Sequence, residues 1–321
     1  MIVLTGGAGF IGSCFLKKLN DNGIKEILVV DHLGNSEKWK NFAGKRFYRY
    51  EHKDEFRNRL NSGIYNGAIS SIIHIGACST TTERNADYLF DNNLNYSIEL
   101  AEFAAEEGIR FIYASSAATY GDGQNGYSDM QFENLQPLNI YGMTKHLFDL
   151  WVIDNKLDSD FTGLKFFNVF GPNEYHKGDM SSMVYKSFNQ IKNTGNVKLF
   201  KSGNPNYKDG EQMRDFVYIK DVVNIMWDIF QNEKFAGIYN IGTGLARTWN
   251  DLAASVFKAM DMELNIEYIN MPDSLENQYQ YFTQAEMKKI GMTDLPFKFR
   301  PLEESIDDYV RNYLIKDWQY Y

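Results

Sequence analysis

The chain has 321 residues, with 33 Lys+Arg against 42 Asp+Glu and a formal net charge of −9. Its 44% apolar and 23% charged residues are those of a globular protein and exclude disordered and fibrous classes. With no basic excess to meet phosphate, no nucleic-acid partner is expected, and positive charge toward any anionic ligand has to be local.

Ile2–Thr5 reads as a buried strand, followed by a helix to about Leu19. Glu26–Asp31 and Ser70–Ile75 are further strands, and Leu94–Glu107 is a helix with Leu94, Ile98, Leu100, Ala101 and Ala104 on one apolar face. Arg110–Ser115 is a strand, Tyr141–Lys156 a helix and Thr162–Val169 a strand again. Continuous apolar strands alternating with amphipathic helices imply a parallel sheet covered on both faces. The predicted fold class is therefore α/β, a doubly wound parallel sheet of the Rossmann kind. After Gly171-Pro172 the rhythm loosens, with short strand-like pieces at Asp215–Asp221, Ile238–Gly242 and Leu264–Ile269 and a polar stretch from Gly203 to Gly210. The last helix, Pro301–Leu314, carries Leu302, Ile306, Tyr309, Val310 and Tyr313 on one face. The aromatic tail Trp318-Gln319-Tyr320-Tyr321 either serves an interface or packs on its own subunit. Residues 1–169 are expected to form a dinucleotide-binding domain, with segments near 215–245 returning to it. Residues 170–321 are expected to form mainly a smaller α/β substrate-binding domain.

Cys14 and Cys78 make no disulfide framework and fit a reducing compartment. The five histidines fall in no metal-ligand spacing, so no metal is expected. The first 16 residues lack a basic start and are broken by glycines, unlike a signal peptide. No run reaches the ~20 apolar residues of a membrane span. A cytoplasmic protein without a membrane partner is expected.

Thr5-Gly6-Gly7-Ala8-Gly9-Phe10-Ile11-Gly12 links the first strand to the first helix. Glycine is needed where backbone turns sharply and approaches a diphosphate with no Cβ in the way. The helix start then offers free N–H groups and partial positive charge. Asp31 ends the second strand, where a carboxylate can accept hydrogen bonds from an adenosine ribose. Strand, glycines, helix, strand and terminal Asp together point to dinucleotide binding through Gly6, Gly9, Gly12 and Asp31.

Ser115-Ser116 lies at the carboxyl end of a strand, and Tyr141 and Lys145 open the next helix on one face. Tyrosine with pKa ~10 is only about 0.1% phenolate at neutral pH. Lowering that value by ~3 units needs about 4 kcal/mol of preferential anion stabilisation. The expectation is that Lys145 in a partly desolvated crevice, with a nicotinamide cation close by, supplies it while Ser116 holds the reacting hydroxyl or carbonyl. A chain rich in Tyr and Lys yields this spacing by chance, so its weight comes from its place after the Ser-Ser strand.

These residues resemble the extended short-chain dehydrogenase/reductases. The segments Gly76-Ala77-Cys78-Ser79-Thr80-Thr81-Thr82-Glu83, Ala114 to Gly121, Phe167 to Pro172, His176-Lys177-Gly178, Arg214 to Tyr218 and Phe282 to Ala285 narrow the likeness. It is to the ADP-L-glycero-D-manno-heptose 6-epimerases of the NAD-dependent epimerase/dehydratase family, nearly end to end. The resemblance implies inversion at C6 of the heptose in an ADP-heptose substrate, for lipopolysaccharide inner-core synthesis. The implied route is transient hydride transfer to bound NADP (NAD being possible) through a 6-keto sugar. It also implies a homo-oligomer, a homopentamer in the family.

Carried over residue by residue, the resemblance makes Ser116, Tyr141, Lys145 and Lys177 catalytic. It assigns Phe10, Ile11, Asp31, His32, Lys38, Lys53, Ile75, Gly76, Ala77, Cys78, Ser79, Asn92, Lys145, Val169 and Lys177 to the cofactor. Ser116, Asn168, Asp179, Lys186, Phe200, Lys201, Ser202, Gly203, Arg214 and Tyr279 would meet substrate. Lys38 and Lys53 could neutralise a 2′-phosphate, whereas a carboxylate at Asp31 repels one and pulls toward NAD. His32, Asp179 and Lys186 depart from the residues usual in the family. A UDP-hexose 4-epimerase or another nucleotide-sugar epimerase shares Ser116, Tyr141 and Lys145, and a non-catalytic dinucleotide sensor is a third reading. Ala117 and Ala118 lack the proton-transferring groups of a dehydratase.

Overall fold

The aliphatic runs form β1 (Ile2–Thr5) and β2 (Ile27–Asp31), buried at every position, around α1 (Phe10–Asp21). In this computed structural model, which describes residues 1–272, 279–317 and 319–321, the alternation continues through β3 (Arg49–His52), α2 (Lys53–Asn61), β4 (Ser71–His74), α3 (Ala86–Leu89) and α4 (Tyr96–Glu106). It goes on with β5 (Arg110–Ser116), α5 (Ile140–Asp154), β6 (Thr162–Phe166) and β7 (Asn168–Phe170). Next come α6 (Met183–Thr194), β8 (Val197–Phe200), β9 (Met213–Tyr218), α7 (Ile219–Gln231) and β10 (Gly237–Ile241). Last are β11 (Ala246–Thr248), α8 (Trp249–Ala259), β12 (Ile266–Ile269) and α9 (Leu302–Tyr309).

Seven strands pair in the order β10-β6-β5-β4-β1-β2-β3, every neighbour parallel. One face buries Phe15, Leu16 and Leu19 of α1 with Val222 and Ile225 of α7. The other buries Phe56, Leu100, Phe148 and Val152 from α2, α4 and α5. The sheet is thus doubly wound, with helices satisfying both apolar faces. The chain runs outward from β1 to β3, then returns beside β1 as β4 and proceeds the other way. The β1/β4 gap is the switch point, and open α/β sheets bind ligands outside its carboxyl edge. Beyond β6 the chain adds a three-stranded sheet, β11-β9-β7, and a two-stranded one, β12-β8.

The strand expected over Thr162–Val169 is broken. β6 ends at Phe166, and β7 leaves the main sheet to pair with β9, Asn168 opposite Phe216. Likewise Asp215–Asp221 is only half strand, because Ile219 opens α7. Sequence reading missed β3, an edge strand in which only Glu51 is buried. An edge strand lacks the apolar run that marks a central one. The tail packs on its own chain: Tyr321 N–H donates to Asn173 Oδ1 at 2.9 Å, and the Tyr320 ring lies 5.3 Å from that of Tyr175. Trp318 lies outside the described residues. No described helix is long and apolar enough to cross a membrane.

Gly6 fixes the approach of the first turn to the β4 end. Its φ is +67°, and a Cβ there would stand 2.6 Å from Gly76 N and 2.7 Å from Gly76 Cα, both rigid backbone. Gly6→Ala is expected to cost about 1–3 kcal/mol from the left-handed backbone alone, with the clash added, and to lower the melting temperature by several degrees. An unchanged melting curve would show that the two loops can separate freely.

Candidate active site

A cleft of about 870 Å³ runs along the carboxyl ends of β1, β2, β4, β5 and β6, and residues from all five strand ends line it. The sheet topology alone puts those ends side by side. Every cofactor residue expected from the sequence lines this cleft, and so do Ser116, Tyr141 and Asn168.

The glycine turn closes tightly: Gly9 N–H donates to Gly6 O at 2.9 Å, and a Cβ on Gly12 would stand 2.1 Å from Gly6 O. α1 therefore starts at the cleft wall, with no side-chain cap and no acidic residue in its first turn. Its leading N–H groups have no side-chain acceptor to compete with a ligand phosphate. At the end of β2, Asp31 is already engaged. Its carboxylate accepts from Ala8 N at 2.8 Å, from His32 N at 2.7 Å and from Lys38 Nζ at 2.7 Å. Lys38 is thus the partner of Asp31, and the bare carboxylate inferred from sequence is neutralised. Lys53 Nζ donates to Asn92 Oδ1 at 2.7 Å, and His32 Nδ1 lies 2.8 Å from His52 Nε2. Diphosphate-ready helix start, ribose-side carboxylate and flanking cations fit a dinucleotide.

The 76–79 loop is held by Asn93, which sequence reading passed over. Cys78 N–H donates to Asn93 Oδ1 at 2.8 Å and Asn93 Nδ2 donates back to Cys78 O at 3.0 Å. Thr5 was missed as well. Its hydroxyl contacts His74 Nδ1 at 2.7 Å and accepts from Gly76 N at 3.1 Å, joining the first turn to the end of β4. Its place as the last strand residue before the glycines was the available signal. His176 also lines the cleft; burial, with Lys177 beside it, pushes it down to about 4, so it is neutral at ordinary pH.

Asn139 caps α5 by accepting from Gly142 N at 2.8 Å, which puts Tyr141 in the first turn at the cleft floor. The Tyr141 phenol is hydrogen-bonded to Ser116. Lys145 shares the helix face, but its ammonium donates to the Ala114 carbonyl at 2.8 Å. In the protein alone, without a cofactor cation, burial sets the direction of the electrostatics. Burial raises the phenol above its ordinary value, the Ser116 bond only partly offsetting it. Burial also brings Lys145 down to about 8, against the pull of Asp149. Desolvation disfavours both charged forms and outweighs their spacing on the helix. Lys177 enters from the 175–180 turn, its ammonium 5.7 Å from the Phe10 ring centroid. Burial lowers its proton affinity while the neighbouring Glu174 carboxyl raises it.

The remaining substrate candidates lie outside the cleft lining. Arg214 is buried between aromatic rings, 5.3 Å from the Tyr279 centroid and 5.5 Å from that of Trp249. Its guanidinium donates to the carbonyls of Met213, at 2.8 Å, and Gln280. Trp249, whose indole donates to Tyr279 OH at 2.9 Å, was not anticipated. Phe200 ends β8, and Lys201, Ser202 and Gly203 begin the loop after it. Gln212 Nε2 reaches the Phe200 carbonyl at 3.4 Å, which links that loop to the β9 segment bearing Arg214. Lys186 Nζ donates to the carbonyl of exposed Asp179 at 2.6 Å.

Comparison with known proteins agrees with this geometry. The model of the NAD dependent epimerase/dehydratase family matches residues 2–242. The chain is 52% identical over 98% of both lengths to an ADP-L-glycero-D-manno-heptose-6-epimerase of Nitratidesulfovibrio vulgaris. It is 47% identical over the full length of both chains to one of Fusobacterium nucleatum. The crystal structure of the Helicobacter pylori ADP-L-glycero-D-manno-heptose-6-epimerase superposes with a TM-score of 0.82 at 30% identity, covering 97% of this chain and 95% of that one. A glycine turn at a switch point, a Ser-Tyr-Lys group from the end of β5 and the start of α5, and this end-to-end likeness agree: the chain belongs to the NAD dependent epimerase/dehydratase family.

Proposed function

We propose that the protein inverts C6 of the heptose in ADP-D-glycero-D-manno-heptose to give the L-glycero epimer, as the names of its relatives suggest. The observation that carries the reading is the convergence of Ser116, Tyr141, Lys145 and Lys177 on the cleft that the glycine turn opens. C6 bears a secondary alcohol with no adjacent carbonyl, so its C–H is not acidic enough for direct proton exchange. A bound nicotinamide supplies the hydride acceptor that such a carbon requires. With ligand bound and the Lys145 ammonium favouring its phenolate form, Tyr141 takes the hydroxyl proton on one side of the carbon, and Ser116 holds the oxygen. Lys145 draws its positive charge toward the phenol oxygen as the proton leaves. Lys177 serves as acid/base for the other orientation of the flat 6-keto sugar. Arg214, with Tyr279 and Trp249, receives the ADP part, its guanidinium turning from two carbonyls to phosphate oxygens.

In this reading residues 1–169 hold the cofactor and 170–321 mainly the substrate. The cofactor is NADP: the Asp31 charge is offset by Lys38 at 2.7 Å, and Lys53 and His32 add donors beside it. The protein works in the cytoplasm, in lipopolysaccharide inner-core synthesis, as a homo-oligomer.

Incubation with ADP-D-glycero-D-manno-heptose is expected to give an equilibrium of C6 epimers, and UDP-galactose to remain unchanged. The reverse outcome would make the enzyme a hexose 4-epimerase. Tyr141→Phe and Lys177→Ala are each expected to lower kcat by roughly 10²–10⁴-fold with cofactor still bound. Near-wild-type turnover in Lys177→Ala would remove that residue from the mechanism. Lys38→Ala is expected to weaken NADP binding in calorimetry while leaving NAD nearly unaffected; equal weakening of both would contradict the 2′-phosphate role. Lys145 is cationic below about 8 and loses its proton above that. Accordingly kcat/KM should fall on the alkaline side as pH rises through that region, and a profile flat to pH 10 would contradict the assignment.

A further inference from the structure

Behind the cleft floor, β5, β6 and α5 enclose two charges that the proposed reaction does not use. The Lys165 ammonium and Asp149 carboxylate lie 2.7 Å apart, and neither side chain has any exposure. Asp149 accepts from Tyr113 OH at 3.1 Å and from Ser115 Oγ at 2.7 Å. Lys165 Nζ donates to Thr119 Oγ1 at 2.8 Å and lies 4.9 Å from the Tyr120 ring centroid. Desolvating an ion pair costs several kcal/mol per ion, and apolar replacements are often as stable. Stability alone therefore does not explain why charges occupy this spot.

Their location does. Tyr141, Lys145 and Asp149 follow at four-residue intervals on α5 and share a face. Ser115, bonded to Asp149, immediately precedes Ser116. We infer that the buried Asp149–Lys165 pair is a positioning device for the reacting groups, tying the β5 end that carries Ser116 to the helix face that carries Tyr141 and Lys145 and holding a negative charge behind them. Lys165 sets the opposite charge 2.7 Å from the Asp149 carboxylate, with water excluded from both. The Asp149 carboxylate opposes the burial that lowers the proton affinity of Lys145. Other groups facing Lys145 are the Ala114 carbonyl of β5 and His74 of β4, which burial keeps neutral. Asp149 is faced by Tyr113 and Ser115 from β5, Lys165 from β6, Tyr120 from the following turn and His146 from its own helix. No second carboxylate in that set could replace it.

The inference rests on the reading of Tyr141 and Lys145 as reacting groups, and its test has one readout that does not need turnover. In full-length protein labelled at lysine Cε, the Lys145 carbon resonance, identified by its loss in Lys145→Met, reports that ammonium's titration. Asp149→Asn is expected to move the titration down by about one pH unit, a ~tenfold loss of cationic Lys145 above its midpoint. The alkaline limb of epimerisation should move with it, kcat falling far more than KM changes. The double variant Asp149→Asn/Lys165→Gln leaves no unpaired buried charge and should shift the titration the same way, so the test stands if the single variant fails to fold. A Lys145 titration unmoved in either folded variant overturns the inference. If the wild-type protein does not turn over ADP-heptose but the resonance shifts in the variants, the pair's role stands and the substrate reading fails.

Discussion

Desolvation at the carboxyl edge of the sheet is the constraint on which the proposed chemistry turns. Where β1, β4 and β5 end together, Tyr141 and Lys145 lie in a crevice walled by protein, and each is pushed toward its neutral form. A surface Tyr-Lys pair would keep an ordinary lysine and an ordinary phenol and exchange little between them. In the crevice, the proton affinity of Lys145 comes down to about 8 and that of the phenol rises. Any cation entering beside Tyr141 then acts through a medium that screens poorly. For the proposed reaction the free protein is thus poised rather than activated, and ligand binding completes the electrostatics.

The same logic lets a chain of net charge −9 offer the anion site that the proposed function requires. Positive potential is made locally from a helix start without an acidic residue in its first turn and from lysines on the cleft wall. Lys38 is spent on Asp31, Lys53 on Asn92 and the Arg214 guanidinium on backbone carbonyls. Each cation is held by a neutral or compensating acceptor that an incoming phosphate can displace. Glu174, buried behind Lys177, accepts from Ser182 N at 2.5 Å, from Ser182 Oγ at 2.7 Å and from Gly171 N at 3.3 Å. It shapes the turn that brings Lys177 to the cleft.

Much of this was legible in the sequence because it depends on local rules. The apolar runs of β1, β2 and β4, the glycines before α1 and the terminal Asp31 each carry their own physical signature, and together they specify the switch point. Tyr141 and Lys145 were legible as a pair from helical spacing, and Lys177 only through likeness to a family. What failed to show were features that depend on distant parts of the chain. The break at Phe167 is decided by β9, about 50 residues later, and the edge strand β3 has no apolar run to announce it. The engagement of Asp31 by Lys38, the choice of Ala114 O by Lys145 and the Asn93 clasp on Cys78 are tertiary contacts without a sequence pattern. The rise of the Tyr141 phenol in the protein alone was hidden for the same reason: spacing shows which groups are neighbours, but only the folded crevice shows how much water they lose.

The central claim is that C6 gives up its hydrogen as hydride to a bound cofactor and takes it back on the opposite face. Substrate carrying deuterium at C6, converted in ordinary water and read by mass spectrometry and NMR, tests it most directly. Product of inverted configuration that keeps the deuterium at C6 is the expected result. Deuterium lost to solvent at the rate of inversion would show proton exchange instead and would contradict the account.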